Sequence, residues 1–282
     1  MEKVNYEECL EYFNSCKMKG CAFGYVAVRN PEEWRWMHFS MPFNKLYFIL
    51  EGSITVELLG NDGIIETVYS MSPGNVCLLP CGNMYNLYTD TGFAKYFMHI
   101  NLPMLDGYDL FYGIRQVLSC PFPMEQWQQI PLRTDMDIWN CVMYGKSIAY
   151  HALGKLLEQY SSSIFQKRFY AVSQYPAELL SVIGYIQNTL SAQLTVTDAA
   201  QYSRISYPAM VQLFKKHLGI TPKQFISDRL HEKACEMLFH TEKSVKEIAT
   251  ELRFNTVYAF SNFFKNRCGY APSRYRSMFK QL

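Results

Sequence analysis

The sequence predicts an α+β protein of two domains, in which a β-barrel with flanking helices precedes an all-helical domain. Short apolar and β-branched runs separated by turn residues fill residues 20–101, a pattern typical of a sandwich or barrel. Helical periodicity takes over from residue 177. The charge divides at the same place: residues 1–175 hold 13 Lys+Arg and 17 Asp+Glu, a net −4, whereas residues 176–282 hold 14 and 8, a net +6.

The composition excludes several classes of protein. A chain of 282 residues is long enough for two cores, and 49% hydrophobic residues with 18% charged residues argue against disorder. No window of 18 apolar residues indicates a transmembrane helix, and the N-terminus lacks the basic and apolar regions of a signal peptide. We therefore expect a cytoplasmic protein whose nine cysteines stay reduced as small core residues.

The spacing of histidine and cysteine argues against a metal site. The six histidines show no His-x-His or His-Glu-x-x-His pattern, and the cysteine pairs 16/21 and 77/81 are not Cys-x-x-Cys repeats. We therefore expect no metal, no cofactor and no catalytic residues, so the chain is not predicted to be an enzyme.

The strand-rich segment has the order of a known barrel. Strands are predicted at 45–50, 53–59 and 76–79, with turns around Gly52, at 60–63 and at 72–74. The Pro-Gly turn before a strand that ends in Pro80 resembles the half-barrel pattern of cupins, although Asn75 stands where Asp is usual. The metal ligands of cupins are not present, so the resemblance implies a binding barrel over residues 1–103 rather than a metalloenzyme.

Aromatic side chains are the candidates for an effector pocket in this barrel. They suit a sugar or an aromatic ligand, and two histidines add polar groups. Each of these residues fits an ordinary β-core equally well, because aromatic residues fill barrel interiors in any case. The candidates are Trp34, Trp36, Tyr47, Tyr85, Tyr88 and His99, with His38 as a further polar residue.

Residues 104–165 are predicted to form a helical segment, followed by a linker over 166–176. Between 135 and 164, apolar residues recur at intervals of three and four, as in an amphipathic helix. The helix either covers the barrel or, in addition, pairs with its copy in a dimer, and the length of the stripe favours both together. The residues assigned to the dimer contact are Val142, Ala149, Leu153, Leu156 and Leu157.

The C-terminal domain, residues 177–282, carries an internal repeat. Residues 214–225 align with residues 264–275 at an offset of 50, and Phe, Lys, Gly, Pro and a final aromatic residue recur in register. Upstream, Ala200 matches Ala249, and a small residue allows two helices to cross closely. The repeat therefore predicts two copies of one supersecondary unit.

Each copy reads as two short helices joined by a tight turn. Thr195 with Asp198, and Ser244 with Glu247, have the spacing of N-terminal caps for the first helix of each unit. Ser206 caps the second helix of the first unit, and the second helices end at Gly219 and Gly269.

The second helix of each unit has an apolar face and a polar face. One such polar face would be an ordinary solvated surface, but two at a fixed offset in a basic domain favour DNA binding. Amides and hydroxyls read base edges, and lysine and arginine bind phosphates. The base-reading candidates are Tyr207, Val211, Gln212, Val257, Ser261 and Asn262, and the phosphate candidates are Lys215, Lys216, Lys265 and Arg267.

This domain resembles the AraC/XylS family of bacterial transcription regulators. The resemblance rests on residues 186–276, including Gly219-Ile-Thr-Pro, Val245-Lys-Glu-Ile-Ala and Gly269-Tyr-Ala-Pro-Ser-Arg-Tyr-Arg276. It implies two helix-turn-helix units joined by a long helix, here roughly Pro222 to Phe239, that enter successive major grooves of double-stranded DNA. It also implies an N-terminal cupin-like domain for effector binding and dimerisation, and RNA polymerase as a partner.

Two departures from the family pattern concern the turns and the first recognition helix. Arg204 and Arg253 occupy turn positions where the family often has Gly, at a cost of about 1 kcal/mol if φ is positive. Either the turns differ, or phosphate contacts from these arginines offset the strain. Because Pro208 and Val211 leave the first recognition helix few hydrogen-bonding groups, we expect base reading to rest more on Tyr258, Ser261 and Asn262.

Three interpretations follow for the whole chain. The favoured one is a sequence-specific DNA-binding transcription regulator, an activator that responds to a small molecule and binds DNA as a homodimer. The second is a ligand-independent regulator whose barrel only dimerises. The third and least favoured is a cupin enzyme fused to a DNA-binding domain.

Overall fold

The computed structural model describes residues 18–60, 62–104, 107–123, 138–160 and 174–280. They divide into two compact units, the first drawn from residues 1–104 and 109–166 and the second from residues 105–108 and 167–281. The first unit is rich in antiparallel strands and the second is helical, which confirms the predicted α+β class.

The strands of the first unit form two antiparallel sheets. They are β1 (Lys19–Val28), β2 (Arg35–Ser40), β3 (Asn44–Gly52), β4 (Ile54–Leu59), β5 (Ile65–Met71), β6 (Asn75–Leu79), β7 (Met84–Tyr88), β8 (Phe93–Asn101) and β9 (Leu118–Pro121). Among the described residues one sheet has the order β1-β8-β3-β6-β9 and the other the order β2-β7-β4-β5. Consecutive strands thus pass repeatedly from one sheet to the other, as in a barrel of two facing sheets.

The core of this unit lies between the two sheets. Trp34, just before β2, packs edge-on against Phe93 of β8 with ring centroids 4.7 Å apart. The Nζ atom of Lys45 in β3 lies 4.8 Å from the ring of Phe39 in β2 and 5.3 Å from the ring of Tyr85 in β7. Side chains of β3 and β8 therefore meet those of β2 and β7 in one interior, since alternate residues of a strand share a face.

Part of the segment expected to be helical is a strand. β9 pairs with β6 in antiparallel register, with Val76 opposite Cys120. The helix α1 (Ile138–Tyr160) follows it, and Tyr160 binds the backbone of Ser119 in β9 through its hydroxyl group. The prediction that 104–165 is a helical segment is therefore wrong at residues 118–121, because a short four-residue strand gives too little periodicity to detect.

The apolar stripe of α1 packs within a single chain. Ala149, Leu153 and Leu156 are buried in the first unit, whereas Val142 and Leu157 are half-buried. The three buried residues are not accessible to a second copy, so their assignment to a dimer contact is corrected: this part of the stripe covers the barrel. The predicted ends of the helix at 135–137 and 161–164, and linker residues 166–173, lie outside the described residues.

Seven helices make up the described part of the second unit. They are α2 (Ala177–Thr189), α3 (Val196–Tyr202), α4 (Tyr207–Leu218), α5 (Pro222–His240), α6 (Val245–Glu251), α7 (Val257–Cys268) and α8 (Pro272–Lys280). The predicted long connecting helix is α5. Across the described residues, no helix is long and apolar enough to cross a membrane.

Candidate functional site

The first helix of each repeat begins with the same capping arrangement. The amide of Asp198 donates to the Thr195 hydroxyl (3.1 Å), and the amide of Thr195 donates to the Asp198 carboxylate (2.9 Å). Ser244 and Glu247 form the same reciprocal pair at the start of α6, at 3.2 and 2.6 Å. These hydrogen bonds lower the pKa of both carboxyl groups. The predicted caps at α3 and α6 are confirmed, and each carboxylate satisfies amides that the helix leaves unpaired.

The turns between the helices are also identical in the two repeats. Arg204 donates from its amide to the Gln201 carbonyl (3.2 Å), and the next residue, Ile205, donates to the Ala200 carbonyl (3.2 Å). In the second unit Arg253 donates to Thr250 (3.0 Å) and Phe254 to Ala249 (2.9 Å). This pair of bonds is the Schellman motif, which places the residue after the helix cap in the left-handed region.

Both arginines adopt that left-handed conformation, with φ of 54° for Arg204 and 57° for Arg253. The sequence left two alternatives, either a turn of another geometry or a strained turn whose cost phosphate contacts offset. The positive φ angles show that the turn is the strained one. A side chain with a Cβ costs about 1 kcal/mol here relative to Gly, and both guanidinium groups lie on exposed residues.

The repeated aromatic residues close each unit in the same way. Phe214 of α4 packs on Phe225 of α5, with ring centroids 5.4 Å apart at 72°. At the matching positions, Phe264 of α7 packs on Tyr275 of α8 at 5.1 Å and 79°. All four residues are buried. The residues that recur at an offset of 50 thus make the same edge-to-face contact in both repeats. This contact packs α4 against α5 and α7 against α8.

The opposite faces of α4 and α7 are exposed. Tyr207 and Tyr258 expose 53% and 75% of their surface, and the amides of Gln212 and Asn262 are also exposed. Such amides can pair with an adenine edge through two hydrogen bonds. Val257 is exposed, whereas Val211 and Ser261 are half-buried. An open surface groove runs along α4, lined by Tyr207, Pro208, Val211, Gln212, Lys215 and Lys216.

Five of the six phosphate candidates are exposed, and the sixth, Arg267, is half-buried. Arg267 forms an ion pair with Asp228 of α5 (2.5 Å) and lies over the ring of Phe263. Its side chain is only 30% exposed. The assignment of Arg267 to phosphate binding is therefore corrected: this arginine ties α7 to the connecting helix. The exposed candidates are Arg204, Lys215, Lys216, Arg253 and Lys265.

The barrel interior brings together four of the residues expected in an effector pocket. Trp34, Tyr47, Tyr85 and His99 are buried between the sheets, and Trp36 is half-buried beside Trp34. Tyr47 and His99 come within 6.4 Å of each other, measured between ring centroids.

Tyr88 and His38 do not join that group. Tyr88 donates its hydroxyl to Glu57 (3.1 Å), and Asn86 binds the same carboxylate. Because Tyr88 is three residues beyond the inward-facing Tyr85, the pleat of β7 directs it to the outer face. His38 is exposed in an irregular part of β2, with φ of 53°.

Two lysines that sequence reasoning missed lie in the same interior. Lys45 and Lys95 expose 1% and 3% of their surface. Lys45 precedes Tyr47 by two residues and Lys95 precedes His99 by four, so each lysine lies on the same strand face as a predicted pocket residue. The period of two in an otherwise apolar strand was the signal that could have found them.

Burial governs the ionisation of these inward-facing groups. It lowers the pKa of Lys45 to about 7 and that of Lys95 well below its usual range, where the charge of Lys45 adds to the effect. The pKa of His99 is also lowered by burial and by both lysines, so the imidazole is neutral. Within the described residues, no three His, Cys, Asp or Glu side chains are grouped to hold a metal ion.

Comparisons with known proteins match a family model to the C-terminal domain and find relatives among transcription regulators. A family model described as a helix-turn-helix domain matches residues 199–278. An uncharacterised HTH-type transcriptional regulator of Bacillus subtilis, YfiF, is 36% identical over 104 residues, which is 37% of this chain and 33% of that protein. The raffinose operon transcriptional regulatory protein of Pediococcus pentosaceus is 27% identical over 137 residues, 49% of this chain and 48% of that protein. The chain thus spans a third to a half of the length of these two relatives.

Longer matches extend into the barrel. The melibiose operon regulatory protein of Escherichia coli is 24% identical over 220 residues, 68% of this chain and 70% of that protein. The crystal structure of ToxT from Vibrio cholerae with a bound unsaturated fatty acid has a TM-score of 0.59 at 13% identity and covers 93% of this chain and 97% of that one. At this identity the likeness shows the fold alone, an N-terminal barrel with a C-terminal helical domain.

Proposed function

We propose that this chain is a transcription regulator of the AraC/XylS family, which binds specific DNA sequences in response to a small molecule. The duplicated unit carries this proposal. Capping pair, left-handed turn and aromatic closure recur in both copies, and each copy exposes a polar helix face at the matching place. A protein that needed only a stable helical core would not require two such exposed faces.

In this proposal α4 and α7 enter the major groove of double-stranded DNA. The N-terminal turns of recognition helices contact base edges in helix-turn-helix proteins. Tyr258, Ser261 and Asn262 lie in the first two turns of α7, and we expect them to carry most of the sequence selectivity. The exposed face of α4 includes Tyr207, Gln212 and part of Val211. The aliphatic side chain of Val211 suits a contact with a thymine methyl group.

Affinity without sequence choice comes from the basic residues around both helices. Lys215, Lys216 and Lys265 lie in the last turns of α4 and α7, and the strained Arg204 and Arg253 lie in the turns before them. We expect these residues to bind phosphates on either side of the base-reading helices. The phosphate contacts would offset the strain of the two left-handed arginines.

The barrel, a dimer and RNA polymerase complete the proposal. The relatives include regulators of the raffinose and melibiose operons, and ToxT holds a fatty acid, so a small-molecule effector fits the barrel of this chain. A dimer contact on α1 must use residues other than the buried stripe, such as the exposed Met143 and Tyr144. As an activator, the protein would act through RNA polymerase.

Selection of DNA from a random pool with the full chain tests the proposal. We expect enrichment of a sequence with two half-sites that fit two helix-turn-helix units, and a specific affinity at least about 10³-fold above that for unrelated DNA. Asn262→Ala is compared with Asn188→Ala, which removes an exposed amide from α2, outside both helix-turn-helix units. The comparison separates the loss of base reading from the general effect of losing an exposed amide. A pool that enriches no sequence, or equal effects of the two variants, contradicts the proposal.

A further inference from the structure

The barrel interior contains two lysines on one face of one sheet. β3 and β8 pair in antiparallel register, with Lys45 opposite His99, Tyr47 opposite Phe97 and Ile49 opposite Lys95. Residues directly opposite each other in adjacent strands share a face, and so do residues two apart in one strand. The two lysines therefore lie on the same inward face, at the two ends of a short column that also holds Tyr47 and His99.

Aromatic rings surround both ammonium groups. The Nζ atom of Lys95 lies 3.4 Å from the ring centroid of Tyr47, 4.6 Å from that of Trp34 and 5.1 Å from that of Phe93. The Nζ atom of Lys45 lies 4.8 Å from the ring of Phe39 and 5.3 Å from that of Tyr85. Such rings attract a cation, but they do not accept the strong hydrogen bonds that an ammonium group makes in water.

Neither lysine has a counter-ion in the described part of the chain. No carboxylate among those residues lies within 4 Å of either Nζ atom, whereas six other basic side chains in the same described ranges do form ion pairs. The Nζ atom of Lys45 is buried and has no hydrogen-bond partner there. A buried cation without a partner is strongly unfavourable, and natural proteins retain one chiefly where it binds something.

We infer that the barrel interior binds an organic carboxylate, whose anionic group lies between Lys45 and Lys95 and whose apolar body packs on the surrounding aromatic rings. This inference rests on the proposed function, and it names the chemical class of the effector. A carboxylate provides two oxygen acceptors and one negative charge, so each lysine can donate a hydrogen bond to one of its oxygens. A neutral sugar would leave them uncompensated.

The strand setting favours a carboxylate over a phosphate. Phosphate sites in proteins draw on backbone amides of loops and helix N-termini. The amides of β3 and β8 are taken up by pairing with neighbouring strands, so these two strands offer only side-chain donors to the interior. Rings of Trp34, Tyr47 and Phe93 suit an apolar body next to the anion, and inorganic phosphate has none.

Calorimetric titration of the full chain with matched probes tests the inference. The probes are phenylacetate and hexanoate, each paired with its neutral amide, together with inorganic phosphate. The variants are Lys45→Met and Lys95→Met, which keep the length of the side chain and remove the charge. Lys146→Met, on the exposed surface of α1 in the same unit, is the control. Lys45→Arg keeps the charge and tests whether a variant that loses binding has lost the ammonium or the packing.

We expect at least one carboxylate to bind about tenfold or more tightly than its amide, since a hydrogen bond to a charged group contributes that much or more. Each methionine variant should remove this preference and Lys146→Met should keep it. Equal affinity for acid and amide, no binding of either carboxylate, binding of phosphate alone, or an unchanged preference in both methionine variants overturns the inference. If one methionine variant does not fold, the other and Lys45→Arg decide.

The same preparations are tested for selective DNA binding, so that the two proposals fail separately. Selective DNA binding without carboxylate binding refutes only the effector class. Carboxylate binding without selective DNA binding refutes only the regulatory function.

Discussion

The two domains of this protein treat buried charge in opposite ways. In the helical domain, Arg229 is 5% exposed and forms an ion pair with Glu232 (2.7 Å), and Arg267 pairs with Asp228. In the barrel, Lys45 and Lys95 are equally buried, and no described carboxylate pairs with them. Arg229 pairs within α5 and Arg267 joins α7 to α5, whereas the two lysines have no carboxylate partner in the described part of the barrel. Charge that a fold buries at a cost is therefore a better guide to a binding site than charge that it neutralises.

The largest effect is expected from breaking the pair inside the helical domain. Arg229→Met removes the buried guanidinium group that pairs with Glu232, and the loss of one member of a buried ion pair costs about 3–5 kcal/mol. Urea unfolding of the full chain, followed through the helical signal, measures the change. If the variant were as stable as the wild type, Arg229 would not contribute to stability through its ion pair, and the proposed contrast between the two domains would be wrong.

A change of opposite sign is expected from the barrel. Lys45→Met removes an unpaired buried cation, so in the absence of ligand it should stabilise the protein by roughly 2–4 kcal/mol at pH 7. Lys146→Met, on the surface, should change stability by less than about 0.5 kcal/mol. Thermal unfolding of the three proteins checks the order, and a destabilised Lys45→Met would mean that Lys45 contributes to stability by its packing.

The pH dependence of that difference has a defined sign. The pKa of Lys45 is about 7 in the folded protein, against the usual 10.5 in an unfolded chain. Between these values the unfolded state holds the extra proton, so the contribution of Lys45 to stability rises with pH from 7 towards 10.5. The other titratable groups of the same interior are present in both the wild type and the variant, so they do not distinguish the two proteins. They are Lys95, His99, Cys81, Tyr47 and Tyr85. The advantage of Lys45→Met should therefore shrink between pH 7 and pH 10, and a constant difference would contradict the assigned pKa.

A smaller effect distinguishes reading from non-reading residues on the exposed faces. Asn262→Ala should weaken binding to the selected sequence by about 1–3 kcal/mol and leave binding to unrelated DNA unchanged. Gln212→Ala on α4 should cost less, because that helix presents fewer hydrogen-bonding groups. Fluorescence anisotropy measures the affinity of each variant for the selected duplex and for an unrelated duplex. An equal loss of affinity for both duplexes would refute base reading by Asn262.

The smallest effects separate two neighbouring basic residues of α7. Lys265→Ala should reduce the slope of log affinity against log salt by about one and leave stability unchanged. Arg267→Ala should lower stability by about 1–2 kcal/mol, since Asp228 loses its partner, while the salt slope stays the same. Salt titrations and urea unfolding of both variants give the comparison. A reduced slope in Arg267→Ala would return that residue to the phosphate contacts.

Local sequence rules predicted most of the helical domain. Caps, turns and helix ends depend on contacts between residues three to six apart, so Thr195 with Asp198, Ser244 with Glu247 and the terminal Gly219 and Gly269 were readable from the chain. The repeat showed which faces correspond, because both copies place the same residue types at the same offset.

What only the tertiary structure decided is where long-range contacts direct a side chain. Arg267 and Lys265 lie two residues apart with the same charge, and only the position of Asp228 on α5 separates a structural role from an exposed one. Ala149, Leu153 and Leu156 suited a dimer as well as a barrel cover, until their burial in one chain was seen. Lys45 shares an inward face with Lys95 only through the register of β3 with β8, about fifty residues further along the chain. The sequence by itself determined the two-domain α+β class, the repeated unit and its charge, because those follow from local pattern, whereas pairing and burial depend on which distant residues come together.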